Sequence, residues 1–247
     1  MTLNDIYHAI DPVALSLGPL QIRWYGLAYV AGFICAFLVI AKLSQRWKIR
    51  INDDAFFTVV FCVIFGVILG GRLGYVLVYG DGYYLQHPEK ILAFNEGGMS
   101  FHGGLVGVII GGVIAAKITK IPFLTLADMG VVGVPIGLFF GRCANFINGE
   151  LWGAPTDAPW GVVFGGAAGT MARHPSQLYE ALLEGVVLFI ILFALSRKTP
   201  ARPRGTFFGT FLLLYGFFRF MVEFIRQPDA QIGYLLGTHW FTMGQAL

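Results

Sequence analysis

Six long apolar segments dominate the hydrophobic pattern of the chain, and short polar segments separate them. A helix needs about 20 apolar residues to cross the hydrocarbon layer of a membrane. The pattern predicts spans near residues 24–43, 55–79, 99–116, 124–141, 177–195 and 206–224. The C-terminal FTMGQAL is typical of the start of a seventh span that this chain does not complete. The predicted fold class is an all-α integral membrane protein, a polytopic helix bundle in one membrane domain over residues 1–247.

Glycine recurs at every fourth position in the third and fourth predicted spans. Small residues at this spacing let two helices approach closely, so we expect these glycines to serve helix packing. The positions are Gly103, Gly107 and Gly111, followed by Gly133, Gly137 and Gly141.

Lysine and arginine concentrate in the loops that follow the first, third and fifth spans. Such loops mark the cytoplasmic side of a membrane, so the N-terminus is predicted to lie outside. Two long outer connections remain: an extracytoplasmic loop over 80–98, and residues 142–176, predicted to fold as a small extracytoplasmic cap. The ten cytoplasmic basic residues are Lys42, Arg46, Lys48, Arg50, Lys117, Lys120, Arg197, Lys198, Arg202 and Arg204.

Composition supports a membrane protein, with the lipid bilayer as an expected partner, and argues against a nucleic-acid partner. Charged residues make up 13% of the chain, whereas soluble domains carry about 25%. A net charge of +3, with the basic residues in short loops, gives no basic face for nucleic acid, and no nucleic-acid partner is expected. Three scattered cysteines and the absence of an HExxH motif predict neither a disulfide framework nor a metal site.

The basic residues of the predicted outer side are mostly arginine. Arginine grips a phosphate through a planar, two-pronged guanidinium, which surface solubility alone would not favour. These residues are Arg23, Arg72, Lys90, Arg142, Arg173, Arg219 and Arg226.

Several charged residues fall inside the outer half of predicted spans. Tyr215, Arg219 and Glu223 follow one another at four-residue spacing and so share one helix face. Gln177, Glu180 and Glu184 line the fifth span, and Arg72 lies in the second. A charge in lipid costs several kcal/mol, so these groups are expected to be paired and to face the bundle interior. For Arg72, Glu180 and Glu184, a purely structural Arg–Glu network remains an equal alternative.

Further polar residues lie at the outer ends of other spans. They are Tyr25, His102, Arg142, Asn145, Arg173 and His174. Singly they have ordinary explanations, since Trp24 and Tyr25 suit a membrane interface and His102 suits a helix terminus. Their convergence on one level predicts a site for an anionic lipid headgroup, entered sideways from the outer leaflet.

Four separated segments, in order along the chain, resemble the bacterial prolipoprotein diacylglyceryl transferases. They are SFHGG at 100–104, GRCANFINGELWG at 141–153, RHPSQLYEA at 173–181 and YGFFRFMVEFIRQPD at 215–229. The resemblance extends over nearly the whole chain, although the family usually has seven spans. It implies transfer of the diacylglyceryl group of phosphatidylglycerol to the lipobox cysteine thiol of a prolipoprotein signal peptide. It also implies a multi-pass protein of the bacterial cytoplasmic (inner) membrane, whose active site faces the periplasmic leaflet.

The resemblance also implies the site residues. His102 is the candidate base for the thiol, because imidazole commonly fills this role near neutral pH. Arg142 and Arg219 suit the charge of the leaving glycerol phosphate. Asn145 and Glu150 are expected to orient Arg142 and the glycerol hydroxyls, Gly153 to allow close backbone approach, and Tyr25 to anchor the headgroup. Tyr215 is also implied by the resemblance. Arg72 and Glu223, selected for their positions in the predicted spans and not from the family pattern, complete the predicted substrate-binding set, and the reaction needs no metal or other cofactor.

Other functions are weighed against this one. A membrane transporter with an outward-facing anion site would also use a polar cavity, but transporters place their sites near the midplane. An intramembrane serine protease would have to use Ser100 and His102, which are only two residues apart. Cys143 adjoins Arg142, but the substrate supplies its own thiol, so Cys143 is not predicted to be a nucleophile.

Overall fold

The computed structural model describes residues 2–18, 20–49, 51–80, 82–94, 97–197, 202–227, 233, 235–238 and 240–246. Several predicted features include residues outside these ranges: Arg50 and Lys198 of the basic loops, parts of the loop over 80–98, and the last two residues of the motif at 215–229. The chain divides into two compact units, residues 1–47 with 129–247, and residues 48–128. Each unit is described by itself.

Helices make up most of both units. The first unit contains α1 (Leu3–Ala9), α2 (Trp24–Arg46), α7 (Ser176–Glu180), α8 (Leu188–Ser196), α9 (Thr206–Glu223) and α10 (Met243–Ala246). The second contains α3 (Asp53–Tyr79), α4 (Tyr83–Gln86) and α5 (Phe101–Thr119), and α6 (Phe123–Asn148) begins there and runs into the first. A π-helical segment, Ala181–Val187, joins α7 to α8. Short 3₁₀ turns lie at Pro88–Lys90, Gly166–Ala168 and Leu235–Gly237.

In the described parts of the chain, six helices are long and apolar enough to cross a membrane. They are Trp24–Arg46, Asp53–Tyr79, Phe101–Thr119, Phe123–Asn148, Ser176–Ser196 and Thr206–Glu223. Large apolar side chains on them are exposed, for example Phe33 at 71% and Leu213 at 70%. Such surfaces are unfavourable in water and fit a lipid environment. The chain is therefore a multi-pass, all-α membrane protein, as the sequence predicted.

Two elements differ from the sequence prediction. The helix predicted to end near residue 141 continues to Asn148, so the polar segment that follows Gly141 begins as helix rather than as loop. Residues before α2 form a short antiparallel hairpin of β1 (Val13–Leu17) and β2 (Leu20–Arg23), with Leu15 opposite Ile22. No strand was predicted there, because strands of five and four residues give only a short pattern.

Side-chain caps mark the starts of α3 and α5, the two long helices that lie wholly in the second unit. The Asn52 side chain accepts a hydrogen bond from Ala55 N at 2.9 Å at the start of α3. Ser100 Oγ accepts one from Gly103 N at 3.2 Å at the start of α5. Each cap satisfies a backbone donor that the helix itself leaves free. Ser100 is thus used as a buried cap, which argues against its role as a protease nucleophile.

The α3 and α5 helices pack with their backbones in contact. A Cβ at Gly107 would overlap the Gly66 carbonyl group, and one at Gly103 would overlap that of Gly70. The close packing predicted for the glycines of the third span is confirmed. In the fourth span, Gly133 lies against Ala36 of α2, whereas Gly141 has open space beside it. The four-residue repeat therefore overstates the packing role of Gly141.

Two apolar clusters support the first unit. One joins four of the long helices through Leu43, Val132, Leu188, Leu192 and Phe207. The other lies in residues 149–175 and their surroundings, where Val162, Phe164 and Ala168 pack with Phe146. Tyr7 of α1 contacts the rings of Phe146 and Phe164. This second cluster holds the connection that follows α6 against the end of that helix.

Candidate active site

A cluster of three arginines and three glutamates lies inside the first unit. Arg142 is near the end of α6, Glu180 ends α7, and Glu184 lies in the π-helical segment. Arg219 and Glu223 belong to α9, and Arg226 follows that helix. We call this set, Arg142, Glu180, Glu184, Arg219, Glu223 and Arg226, the arginine–glutamate cluster.

Glu180 is the central residue of the cluster. Its Oε2 lies 2.5 Å from Arg142 Nε, a contact without hydrogen-bond alignment. Its Oε1 lies 3.1 Å from Arg219 Nη1 and 3.0 Å from Arg226 Nη1. One carboxylate thus contacts all three arginines, which come from two different stretches of the chain.

The other two glutamates contact one arginine each. Glu223 Oε2 lies 2.7 Å from Arg219 Nη2, one turn earlier on α9. This pair confirms the prediction that Arg219 and Glu223 share a helix face. Glu184 Oε2 lies 3.7 Å from Arg142 Nη2, and neither Glu184 oxygen has a hydrogen bond within the part of the chain that the structure describes.

The arginines and the glutamates differ in exposure. The side chains of Arg142, Arg219 and Arg226 are 17%, 18% and 11% exposed, whereas those of Glu180, Glu184 and Glu223 are 1%, 0% and 5% exposed. The carboxylates therefore lie behind the guanidinium groups, which hold the accessible part of the cluster. Buried charges are costly unless they are paired, so the glutamates stabilise arginines that still reach the surface.

The chain brings this cluster together through an irregular helix. Glu180 ends an α-helical turn and Glu184 lies in the π-helical segment, an uncommon form that often occurs at functional sites. Gly185 follows, and a Cβ there would lie 2.7 Å from Phe139 Cβ and 2.9 Å from Phe139 Cα. The missing side chain lets this helix approach α6 closely, one turn before Arg142.

Asn145 and Glu150 form a second group beside the end of α6. Asn145 Nδ2 donates to Glu150 Oε1 at 2.8 Å, and Asn148 Nδ2 donates to the same oxygen at 3.3 Å. Gln177 Nε2 donates to the Glu150 carbonyl at 2.6 Å. The sequence predicted that Asn145 and Glu150 orient Arg142. The ion pairs of Arg142, however, are with Glu180 and Glu184. The structure assigns that orienting contact to those two glutamates.

Gly153 lies where three backbone segments meet. Gly153 N donates to the His174 carbonyl at 2.9 Å, and Ala154 N donates to that of Ile225 at 2.9 Å. A Cβ at Gly153 would lie 2.6 Å from the Ile225 carbonyl oxygen and 2.7 Å from His174 Cβ. Close backbone approach was expected here, and the neighbours of Gly153 are the protein's own segments at His174 and Ile225. Gly153 thereby ties the connection after α6 to the end of α9.

Arg173 and His174 also serve this connection. Arg173 Nε donates to the Ala168 carbonyl at 2.9 Å, and its Nη1 lies 3.2 Å from Gln227 Oε1. His174 Nδ1 lies 3.2 Å from the Tyr179 hydroxyl, and partial burial lowers the pKa of its imidazole. These contacts are structural and leave the arginine–glutamate cluster as the main cationic site of this unit.

Two aromatic members of the predicted site belong to this unit as well. Tyr25 lies in the first turn of α2 and is partly buried. Tyr215 stacks on Phe211 with ring centroids 5.5 Å apart and packs beside the apolar cluster of the long helices. Their roles toward a headgroup stay predictions.

Arg72 belongs to the second unit and is almost fully buried at 1% exposure. Its Nε donates to the Ile91 carbonyl at 2.8 Å, and its Nη2 donates to that of Lys90 at 2.7 Å. Its Nη1 donates to the carbonyls of Gly97 and Gly98. These bonds commit the guanidinium to the loop after α3. They favour a structural role for Arg72 over the predicted substrate contact, although its partners are backbone carbonyls and not the glutamates of the predicted Arg–Glu network.

His102 also belongs to the second unit, in the first turn of α5, and its side chain is exposed. Its ring contacts that of Phe101, with centroids 5.6 Å apart. An exposed imidazole at a helix start is open to a ligand, and its role as a base stays a prediction. Among the residues that the structure describes, no three His, Cys, Asp or Glu side chains are arranged to hold a metal ion.

Sequence reasoning selected Arg142, Arg219 and Glu223 but left Arg226, Glu180 and Glu184 out of the site. The spacing held a signal for all three. Arg226 follows Arg219 by seven residues, two helical turns on one face, and Glu180 precedes Glu184 by four. What the spacing did not reveal is that one carboxylate joins three arginines.

Comparison with known proteins adds independent findings. The family model described as prolipoprotein diacylglyceryl transferase matches residues 12–247. A Geobacter sulfurreducens protein named phosphatidylglycerol–prolipoprotein diacylglyceryl transferase is 54% identical over 238 residues, which cover 96% of this chain and 90% of that relative. A relative of the same name in Oleidesulfovibrio alaskensis is 53% identical, over 98% of this chain and 89% of that relative. Another in Nitratidesulfovibrio vulgaris DP4 is 50% identical, over 96% of this chain and 89% of that relative. Both findings extend over almost the whole sequence, and the chain therefore belongs to the prolipoprotein diacylglyceryl transferase family.

Proposed function

We propose that this protein transfers the diacylglyceryl group of phosphatidylglycerol to the thiol of the lipobox cysteine in prolipoproteins. The names of its relatives support this activity. The structural observation that carries it is the arginine–glutamate cluster, in which buried carboxylates hold three guanidinium groups at an accessible position. Such a set suits one phosphate diester of a lipid headgroup.

The reaction explains why a cationic cluster is needed. The thiol sulfur forms a bond to the glycerol carbon of the diacylglyceryl group, and the bond from that carbon to the phosphate oxygen breaks. Glycerol phosphate leaves with the bonding electrons, so negative charge grows on the phosphate in the transition state. Oriented donors stabilise such charge because they need not rearrange during the reaction. Arg142 and Arg219 fill that role in the proposal, supported by Glu180.

The thiol must lose its proton, because the thiolate is the nucleophile. His102 is the proposed acceptor, from the chemistry of imidazole and the family resemblance. Asn145 and Glu150, which are hydrogen-bonded to each other, are the proposed contacts of the glycerol hydroxyls. Cys143 takes no part, since the peptide supplies the sulfur.

The proposed setting is the bacterial cytoplasmic membrane, with the arginine–glutamate cluster toward the outer leaflet. The basic residues of the loops after α2, α5 and α8 support this orientation. Phosphatidylglycerol and the signal peptide would both arrive from within the bilayer. The alternative of an anion transporter is not favoured, because the relatives are named as transferases.

The test is a reconstituted transfer reaction. Purified protein is mixed with phosphatidylglycerol vesicles and a lipobox peptide, and the peptide is weighed by mass spectrometry. We expect a mass gain of one diacylglyceryl group that depends on the peptide cysteine. Arg142→Lys keeps the charge but loses the bidentate hydrogen bonding of the guanidinium to phosphate, so we expect the transfer rate to fall about 10²–10³-fold.

The matched control for this substitution is Arg204→Lys, at an exposed arginine before α9. It should transfer at the wild-type rate. No mass gain with the wild-type protein would reject the proposed activity. A near-normal rate for Arg142→Lys would instead reject phosphate binding by Arg142 while leaving the activity in place.

A further inference from the structure

The segment before and within α10 reaches the arginine–glutamate cluster through Glu223. Thr242 Oγ1 donates a hydrogen bond to Glu223 Oε1 at 2.8 Å, and both residues are buried. The other oxygen of the same carboxylate, Oε2, contacts Arg219. The Glu223 carboxylate is therefore contacted from two sides, by an ion pair with Arg219 of its own helix that lacks hydrogen-bond alignment and by a hydrogen bond from Thr242 of the segment at 240–246.

Thr242 is itself fixed by the start of α10. Its backbone N donates to Gln245 Oε1 at 3.0 Å, and its carbonyl accepts from Gln245 N and Ala246 N, each at 3.2 Å. A threonine that begins a helix ordinarily turns its side-chain oxygen to the first free backbone N–H groups. Here the hydroxyl instead donates to a buried carboxylate on another helix. The backbone N and carbonyl of Thr242 are bonded without it, which leaves the contact with Glu223 as its use.

Gly244 packs directly against the same carboxylate. A Cβ at this position would lie 2.6 Å from Glu223 Cδ and Oε1, and 2.7 Å from Oε2. Any side chain there would displace the carboxylate. Thr242 and Gly244 thus define both the orientation and the space of the Glu223 side chain.

We propose that Thr242 is a positioning residue: its hydroxyl fixes the Glu223 carboxylate, which in turn holds the Arg219 guanidinium toward the phosphate of the lipid headgroup. This proposal rests on the proposed function, in which Arg219 contacts that phosphate. Arg219 is held by Glu180 at Nη1 and by Glu223 at Nη2. Loss of one support frees the plane of the guanidinium to turn, and a two-pronged grip depends on that plane.

The first experiment measures lipid affinity without catalysis. The full-length protein is placed in phosphatidylcholine nanodiscs and titrated with phosphatidylglycerol, and bound lipid is measured. Thr242→Val keeps the shape but removes the donor, and we expect roughly tenfold weaker binding, as for a lost hydrogen bond to a charged group. Thr242→Ser retains the hydroxyl and should bind like the wild type. Gly244→Ala should weaken binding as Thr242→Val does, because its methyl group displaces the carboxylate.

Two controls make the same chemical changes elsewhere. Thr210→Val removes a hydroxyl that donates only to a carbonyl of its own helix, that of Thr206. Gly209→Ala adds a methyl group where nothing lies within 4 Å. Neither should change the affinity for phosphatidylglycerol.

The second experiment measures transfer kinetics with the same variants. We expect Thr242→Val to raise the KM for phosphatidylglycerol while the KM for the lipobox peptide is unchanged. Unchanged lipid affinity in Thr242→Val, or an equal loss in Thr242→Ser, would overturn the proposal. So would equal changes in both KM values, which indicate a general structural role.

Arg219→Lys separates this inference from the proposed function. If that variant binds phosphatidylglycerol normally while Thr242→Val does not, Thr242 does not act through Arg219 and the inference fails. If both variants bind the lipid weakly but the wild-type protein transfers no diacylglyceryl group, the positioning role stands and the proposed transferase activity fails.

Discussion

Glu180 shows how one buried residue organises a cationic site. It is 1% exposed and contacts Arg142, Arg219 and Arg226 at once. Arginines that approach each other repel, and burial makes the repulsion stronger because the local dielectric is low. A central carboxylate offsets this repulsion and fixes the positions of the guanidinium groups. At the residue scale, the site therefore depends on an anion as much as on its cations.

The substitution Glu180→Gln tests this dependence. Glutamine keeps one oxygen but turns an NH₂ group toward a guanidinium, so buried positive charges lose their partner. We expect a stability loss of about 3–5 kcal/mol and a transfer rate about 10²-fold lower. Thermal unfolding in detergent and the transfer reaction measure the two effects.

The matched control is Glu89→Gln, because the side chain of Glu89 is 63% exposed. It should leave stability and rate unchanged. Wild-type behaviour of Glu180→Gln would mean that the arginines keep their positions without the central carboxylate.

The role of His102 is tested by the pH dependence of the rate. If His102 accepts the thiol proton, the wild-type protein transfers faster near neutral pH than a variant whose side chain cannot take that proton. His102→Gln can donate a hydrogen bond but cannot take a proton, so it should be slow near neutral pH. It should recover in part above about pH 8.5, where the peptide thiol ionises unaided. The measurement is a pH–rate profile of both proteins at saturating phosphatidylglycerol.

Two outcomes of that profile are distinct. Profiles that converge at alkaline pH agree with a base. A variant slowed by one constant factor at every pH rules out the base and leaves a positioning role for His102.

At the scale of elements, the contact between α3 and α5 depends on glycine. Gly66 and Gly70 of α3 face Gly103 and Gly107 of α5, so the two backbones touch. Helices in lipid gain little from hydrophobic burial against each other, and close packing therefore supplies much of their association. The four-residue spacing on both helices aligns these contacts along one seam.

Gly107→Ala tests the seam, because its methyl group would overlap the Gly66 carbonyl and lie 3.1 Å from Gly70 Cα. Both neighbours are backbone and cannot move aside cheaply. We expect a loss of about 1–3 kcal/mol or more in stability, seen as a lower unfolding temperature in detergent. Gly104→Ala lies on the same helix and meets Val67 O only at 3.7 Å, so it should be close to neutral. Equal unfolding temperatures for the two variants would contradict the packing argument.

At the scale of the whole molecule, the surface of the long helices suits a lipid environment. Its long helices expose apolar side chains, whereas the arginine–glutamate cluster is largely buried in the first unit. A lipid substrate can reach such a cluster from the bilayer with its acyl chains still in the hydrocarbon. The headgroup is then the part of the substrate that the protein must distinguish.

The positive charge of the guanidinium groups in the arginine–glutamate cluster predicts selectivity for phosphatidylglycerol over phosphatidylethanolamine. The ammonium of phosphatidylethanolamine would meet guanidinium groups, whereas the glycerol of phosphatidylglycerol is neutral and can bond to Asn145 and Glu150. We expect transfer from phosphatidylethanolamine to be slower by roughly tenfold or more, since about 1.4 kcal/mol corresponds to a factor of ten. The measurement uses each lipid at the same mole fraction in phosphatidylcholine vesicles. Equal transfer from both lipids would contradict the proposed headgroup contacts.

The sequence by itself determined the membrane class and the six helices, and it predicted several residues of the candidate site. Helix number could be predicted because the bilayer imposes a length and a polarity that single residues either satisfy or do not. The Arg219–Glu223 pair could be predicted because helical spacing places residues four apart on one face. Arg142 and Glu150 were found through a motif, and Gly103 and Gly107 through their period. All of these are local signals.

Only the tertiary structure decided which charged side chains form ion pairs and which polar groups bond to one another. Glu180 and Arg142 are 38 positions apart in the numbering, so no periodicity relates them, and their contact depends on how the π-helical segment packs on α6. Arg72 had the charge expected of a residue that binds a phosphate, yet its guanidinium donates to carbonyls of the loop that follows α3. Thr242 carried no sequence signal, because a hydroxyl at the start of a helix normally serves that helix. Partners of this kind follow from three-dimensional packing, which joins distant segments, whereas the sequence pattern reports only on neighbours along one helix.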